Sequence, residues 1–367
     1  CKILNSLLKQ SLWSKLSPEG ILRFTQKEIN KFNEATNGSL KLTSQKAEKL
    51  TNLSKEIQGM KDGYRKQVKI AEMLKEVHTT IPSSWTSKVA SLQTMAQLLN
   101  PKTILRNIIG NAGFLPFENI SQTIATPIDF ITSLITGKRT TTLPNPVKQI
   151  KGFLKGSKEG YNEAIKGIGD ISGQFELGGI PTFGRETFKE VRSVGQAVDW
   201  GLGIAEKGLN LTLRAPDKAF YRAAFEDSIA GLKRLNKTDE ITSDMFEIAH
   251  LTALQRTFQD TNTATKLFTG LKKALNFIGF EKAGKRWGLG DLILKYPKTP
   301  ANLLKRGIEY SPLGFTQSLF EIGKGLMGKG FNQKNFVDSF GRAITGSIGI
   351  IGTGYGLGKL GIITEKP

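Results

Sequence analysis

The chain has 367 residues and a formal charge of +20, with 38% hydrophobic residues and 40 glycines. That is enough apolar material for a core, and a field so positive recruits polyanions, nucleic acid or an anionic membrane surface, without a dedicated site. The single cysteine, Cys1, and two histidines exclude a disulfide framework, a zinc cluster and a cysteine–histidine nucleophile pair within this chain.

Cys1 in place of Met, within an apolar pattern, predicts a fragment of a longer polypeptide. Residues 3–13, broken by Asn5, Lys9 and Gln10, do not read as a signal peptide. A first helix is expected around residues 18–32, then a polar loop over residues 33–44. From Leu50 the apolar positions Leu53, Ile57, Met60, Tyr64, Val68, Ala71 and Leu74 recur at steps of three and four. They predict a short coiled coil or one long bundle helix. Gly59 and Gly63 weaken it, and His78 sits near its end facing the helix dipole.

Residues 98–137 are the most apolar stretch. Asn100-Pro101 is a helix-start pair, since Asn caps and Pro needs no donor at the first helical position. Ile104, Leu105, Ile108, Ile109, Phe114, Leu115 and Phe117 follow, cut by Gly110 and Gly113 before Pro116. The uncharged part is shorter than the ~20 residues of a membrane span. Glu118 and Asp129 recur too soon for one. Central core packing is the expectation, with membrane contact as the alternative.

Residues 137–146 read as an exposed turn-rich connection carrying Lys138, Arg139, Pro144 and Pro146. Helical spacing resumes to about Gly167, and a looser Gly-rich loop is expected through Gly178, Gly179, Ile180 and Pro181. No phosphate-loop pattern appears.

Two amphipathic helices follow. The first is predicted to begin at Ala215-Pro216-Asp217 with a stripe of Tyr221, Phe225, Ile229, Leu232 and Leu235. The second begins near Thr242, Ser243 and Asp244, with Glu247 in a capping-box position, and carries Ile248, Leu251, Leu254 and Phe258 on one face. His250 within it reads as a structural hydrogen-bonder. The pairs Glu226–Asp227 and Asp239–Glu240 are neighbours in sequence, whose side chains do not face each other on a helix.

Residues 266–342 carry fourteen Lys and Arg against five acids, interleaved with Phe268, Phe277, Phe280, Trp287, Phe315, Phe320, Phe331, Phe336 and Phe340. Contact with DNA or an anionic membrane is assigned here to Lys272, Lys273, Lys282, Lys285, Arg286, Lys298, Lys305 and Arg306. A basic solvated face around an aromatic core explains the same pattern. Residues 343–363 contain one charge, Lys359, and many glycines. Gly352 with Gly356, and Gly354 with Gly358, have the spacing of close helix packing, in a helix or a hairpin.

Taken in order, NPKTILRNIIGN (residues 100–111), APDKAFYRAAFED (215–227), ALQRTFQD (253–260), YPKTPANLLKRGIEYSPLG (296–314) and GRAITGSIGIIGTGYG (341–356) resemble the large polyvalent protein-associated regions of giant phage and mobile-element proteins. Some of those relatives are internal virion, or ejection, proteins. The resemblance implies an all-α, extended, non-catalytic module of a longer parent protein, without cofactor, metal or catalytic residues. Tyr296 to Pro300 would then be extended, with a helix restarting over residues 302–308 and presenting Lys305 and Arg306.

The expected regions are 1–97, helical and coiled-coil-like; 98–214, apolar and Gly-rich; 215–342, basic and helical; and 343–367, the Gly-rich tail. Implied partners are DNA or an anionic membrane and other domains of the parent, with oligomerisation left open. Virion, host membrane or host cytoplasm are the implied locations. Two other readings stand beside this one: a membrane-inserting channel or anchor built on residues 343–363, and an accessory region of an enzyme whose active site lies outside the fragment.

Overall fold

In the computed structural model the described residues are 98–166, 194–282, 285–290, 298–328 and 330–359, with 44–60, 68–70 and scattered positions elsewhere before residue 98. Among the described residues the fold is all-α apart from one short hairpin. The helices are α1 (Ser44–Gln58), α2 (Pro101–Thr136), α3 (Pro146–Lys166), α4 (Val194–Leu209), α5 (Ala215–Asn236), α6 (Ser243–Arg256), α7 (Thr263–Leu275), α8 (Lys298–Glu309), α9 (Gly314–Leu326) and α10 (Gln333–Lys359). Strands β1 (Gly279–Lys282) and β2 (Lys285–Gly288) pair antiparallel, Phe280 opposite Trp287.

The chain forms two compact units that interleave in sequence instead of following the four consecutive regions expected. One comprises residues 1–104, 160–215 and 271–295, the other 105–159, 216–270 and 296–367.

In the first unit the seam from Leu50 to Leu74 is not one long helix. α1 ends at Gln58, and Leu50 and Ile57 pack with Met73 and Ile70 from further along the chain. Lys49 lies 2.7 Å from Glu76, 27 positions away. One continuous helix would hold those two residues about 40 Å apart, so the chain doubles back. Elsewhere in this unit α4 places Leu202, Val198 and Ala205 against Met95 and Leu99. His78 and the Gly-rich stretch through Pro181 lie outside the described residues.

α2, most of which belongs to the second unit, begins as its sequence predicts: the Asn100 side chain accepts from the Lys102 amide at 3.0 Å, and Pro101 is the first helical residue. It then runs unbroken for 36 residues, through Gly110, Gly113, Pro116 and Pro127. Hydroxyls take up carbonyls of the helix, Thr126 donating to Gln122 at 2.7 Å and Thr132 to Ile128 at 2.8 Å. Gly137 ends it in the left-handed conformation, φ +70°, its amide donating to Ser133.

α5 carries the expected stripe. Tyr221, Phe225, Ile229 and Leu232 are buried with Met245, Ala249, Ala253 and Leu254 of α6. α5 begins at Ala215 as expected, but continues a π-helical turn, Asn210–Arg214, that leads directly into it, with the Ala215 amide donating five residues back to Asn210. Pro216 has no amide hydrogen to give, and the wider turn absorbs the irregularity. α6 is capped by Thr242, whose side chain accepts from the Met245 amide. Leu251 points outward, and Phe258 lies beyond the helix at φ +57°.

α8 starts at Lys298, four residues earlier than the sequence suggests, because a Pro at position 300 falls in the first turn, where no amide donor is required. The described part of the tail, to Lys359, belongs to one helix, α10, which begins ten residues before the expected apolar run. Among the described residues no helix is long and apolar enough to cross a membrane.

Candidate functional site: an ionised core

α2 is arranged opposite to what its composition suggests. Its buried residues are Asn111, Glu118, Ser121, Ala125 and Asp129, at steps of seven, three, four and four. Its large apolar residues face outward: Leu105, Ile109, Phe117, Ile120, Phe130, Ile131, Leu134 and Ile135 are all exposed, Ile131 at 64% and Leu134 at 72%. The central-core expectation for this stretch is therefore corrected. It lies against the rest of its unit mainly with polar side chains, which find ionic partners on other helices, together with Phe114, whose ring meets those of Phe258 at 4.8 Å and Tyr310 at 5.3 Å.

Glu118 is the centre. Arg342 of α10 reaches it with Nε at 3.0 Å and Nη2 at 3.2 Å, and the Tyr310 hydroxyl donates to it at 2.9 Å. Arg342 also donates to Glu309 at 3.2 Å, and Glu309 pairs with Arg306 one helical turn earlier. Arg256 of α6 donates to Asp227 at 3.2 Å and to the Gln122 side chain. Lys305 and Arg306 both approach Asp260. Asn302, fully buried, holds the chain after α6 by donating to the carbonyls of Phe258 at 2.7 Å and Asp260 at 2.9 Å. Four cations thus meet four carboxylates inside one unit.

Burial alone would raise the Glu118 and Glu309 carboxyls. The guanidiniums outweigh it, Arg342 and Arg306 for Glu118, Arg306 and Arg342 for Glu309, and both are lowered to about 2. Burial and the neighbouring Glu118 raise the Tyr310 phenol. Burial opposes the charged form of Arg342, but Glu118 and Glu309 hold it protonated.

Smaller clusters repeat the motif. Asp129 accepts from Arg139, from the Thr140 hydroxyl at 2.7 Å, from the amides of Thr140 and Thr141, and from Gln333 at 2.9 Å. Despite burial these bonds hold its carboxyl below the ordinary value. Asp217, in the first turn of α5 as expected, also accepts from Asn107 of α2 at 2.7 Å and Asn111 at 3.3 Å. Asp227 also accepts from the Asn145 amide and Gln149, whereas Glu226 beside it pairs with Lys155.

Chemically, Glu118 and Glu309 are saturated by donors. A carboxyl held near pKa 2 is a poor proton carrier at neutral pH. The recess beside Glu118, lined by Ser121, Gln122, Thr141, Thr252, Arg256 and Arg342 among others, has about 30 Å³ of free space. That admits water, not a substrate, since ligand pockets run to roughly 300 Å³ or more. Among the described residues no group of three or more His, Cys, Asp or Glu could hold a metal ion.

The residues assigned to polyanion contact are dispersed. Arg306, at 2% exposure, and Lys305 belong to the ionised core, so the sequence reading that put them on a surface is corrected. Lys272 and Lys273 lie in the last turn of α7, Lys273 exposed. Lys282, Lys285 and Arg286 fall on the hairpin and Lys298 at the start of α8, where their side chains lie outside the described residues.

Of the aromatics of residues 315–340, Phe315 meets Phe340 at 5.2 Å and Phe336 meets Phe340 at 5.9 Å, whereas Phe320 is exposed beneath Lys324. Among the described residues Gly352 has no atom within 4 Å of where a side chain would begin. The close approaches on α10 come earlier, at Gly341 against Ser121 and Ala125 and at Gly346 against the Tyr310 backbone. The side-chain surroundings of Gly354, Gly356 and Gly358 lie outside the described residues. His250 is hydrogen-bonded to the Tyr221 hydroxyl at 2.5 Å and stacks on Phe246.

Reasoning from sequence missed the network, although one signal was there. Asn111, Glu118, Ser121, Ala125 and Asp129 form a helical stripe of polar or small residues inside an otherwise apolar run. Compared with known proteins, the chain matches no family model, no curated protein and no solved structure.

Proposed function

We propose that the chain is a non-catalytic helical structural or delivery module of a phage or mobile-element large protein, and that it works against a membrane surface. The ordered motifs described above support the setting. The observation that carries the membrane contact is α2, whose outward side is apolar while the ionised groups are sealed inside its own unit. Intramembrane and interfacial helices share this distribution, with polar partners facing the bundle and aliphatic groups facing lipid. The absence of a catalytic role is supported by the saturation of Glu118 and Glu309 and by the size of the recess beside them.

Flotation of the full chain with phosphatidylcholine vesicles, with and without phosphatidylglycerol, tests the proposal. The chain is expected to float with the anionic vesicles and to be released as salt rises. A chain that remains with the unbound fraction at low ionic strength overturns it.

A further inference from the structure

α3 carries two parallel rows on its outer side. Val147, Ile150, Leu154, Tyr161 and Ile165 recur at helical steps, interrupted only at Ser157, and all five are exposed. One residue on from each runs the second row, Lys148, Lys151, Lys155, Lys158 and Lys166, interrupted at Asn162 and also exposed. A one-residue offset is about 100° of helix rotation, so an apolar stripe and a cationic stripe lie side by side along the helix.

The opposite side is committed to the protein. Gln149 bonds Asn119 and Asp227. Gly152 and Gly156 lie so close to α5 that an added Cβ would stand 2.5 Å from the Arg222 carbonyl oxygen and 2.6 Å from that of Lys218. The helix is therefore fixed by its inner side; on its outer side Lys155 and Lys166 pair with Glu226 and Glu72, and Val147, Ile150, Leu154, Lys148, Lys151 and Lys158 are exposed.

The acids of α3 leave that outer side cationic. Glu159 is paired with Arg222 at 2.7 Å and Glu163 is buried. Lys155 is bound to Glu226, whereas Lys148, Lys151 and Lys158 meet no acid among the described residues.

Resting on the membrane reading above, we infer that α3 is the segment that lies along an anionic lipid bilayer, with its aliphatic row in the headgroup boundary and its lysines on lipid phosphates. Charge decides in favour of an anionic surface, because three unpaired lysines flank the apolar row with no exposed acid among them. Side-chain type decides in favour of lipid over nucleic acid. Single-stranded nucleic acid is bound by rings on which bases stack, and the first three members of this row, Val147, Ile150 and Leu154, are aliphatic. Phe153, the ring between them, is turned edge-on to Phe220 at 5.2 Å.

The test is equilibrium partitioning of the full chain onto phosphatidylcholine vesicles with and without phosphatidylglycerol. It compares the native sequence with a triple variant, Lys148→Gln, Lys151→Gln and Lys158→Gln, and with a second variant, Ile150→Asn with Leu154→Asn. Each lysine near an anionic surface is worth about a fivefold change in binding, so the triple variant is expected to lose roughly a hundredfold. It should do so only on the anionic vesicles, while the apolar variant loses binding on both. Exposed positions leave the helix content unchanged by circular dichroism.

Native-like partitioning of both variants overturns the assignment of α3 while leaving the membrane reading standing. A native chain that binds neither vesicle removes both. Loss of DNA binding, or of a self-associated state, without a change in partitioning assigns the two rows to another partner and overturns the inference.

Discussion

α5 and α2 belong largely to the same compact unit and solve burial in opposite ways. α5 turns Tyr221, Phe225, Ile229 and Leu232 inward against α6, and its stability follows from apolar area removed from water. α2 turns Asn111, Glu118, Ser121 and Asp129 inward and leaves Ile109, Phe117, Ile120 and Ile131 outside. The contrast teaches that an apolar segment is not thereby a core segment. What lies inside is decided by which side chains find partners, and Glu118 finds Arg342, 224 positions later in the chain.

The largest test of this contrast is to break the ionised core on one side. Arg342→Ala leaves Glu118 and Glu309 buried without their shared cation and is expected to cost about 3–5 kcal/mol in denaturant unfolding, the range for an orphaned buried partner. A loss below 1 kcal/mol would mean that the network is solvated in solution.

Acid should dissolve the same core. The Glu118 and Glu309 carboxyls are lowered from an ordinary 4.5 to about 2 in the folded protein. Their stabilisation is therefore complete above about pH 4.5 and is lost as pH falls through about 2. Thermal melts across that window should show the decline, and Glu118→Gln should flatten it.

Next in size is the seam between α3 and α5. Gly156→Val places branched carbons against the Lys218 carbonyl and is expected to destabilise by about 1–3 kcal/mol, read from the unfolding midpoint. The smallest expected effect is on the outside of α2. Ile120→Ser should shift stability by no more than about 0.5 kcal/mol in the absence of membrane, although the same substitution inside α5, Ile229→Ser, should cost several times more.

Much of the secondary structure was legible. The Asn100-Pro101 start, the break between α2 and α3 and the stripe of α5 follow from capping chemistry and apolar spacing, both local in sequence, although the connection is not exposed throughout, since Thr141 and Thr142 are buried. The features that were not legible depend on distant partners. The doubling back of the chain after Gln58 is visible in the meeting of Lys49 with Glu76, and a repeat of three and four cannot distinguish a hairpin of two helices from one long helix.

The orientation of α2 was hidden for the same reason, since hydropathy gives each residue a preference but says nothing of where Arg256, Arg306 and Arg342 will converge. Lys305 and Arg306 were misplaced on a surface because a basic run is ordinarily solvated, and here Asp260 and Glu309 face it. Asn302 carried no sequence signal of its role in holding the carbonyls of Phe258 and Asp260.

Two adjacent positions of α2 test the central claim most directly. With Cys1 replaced by Ser, Ile120→Cys and Ser121→Cys are each treated with a membrane-impermeant maleimide without lipid, and the labelling rates are compared. Ile120 is 53% exposed and Ser121 3%, so the cysteine at 120 should label rapidly and the one at 121 only on unfolding. Fast labelling at 121 with protection at 120 would show that the helix faces the other way and would contradict the account.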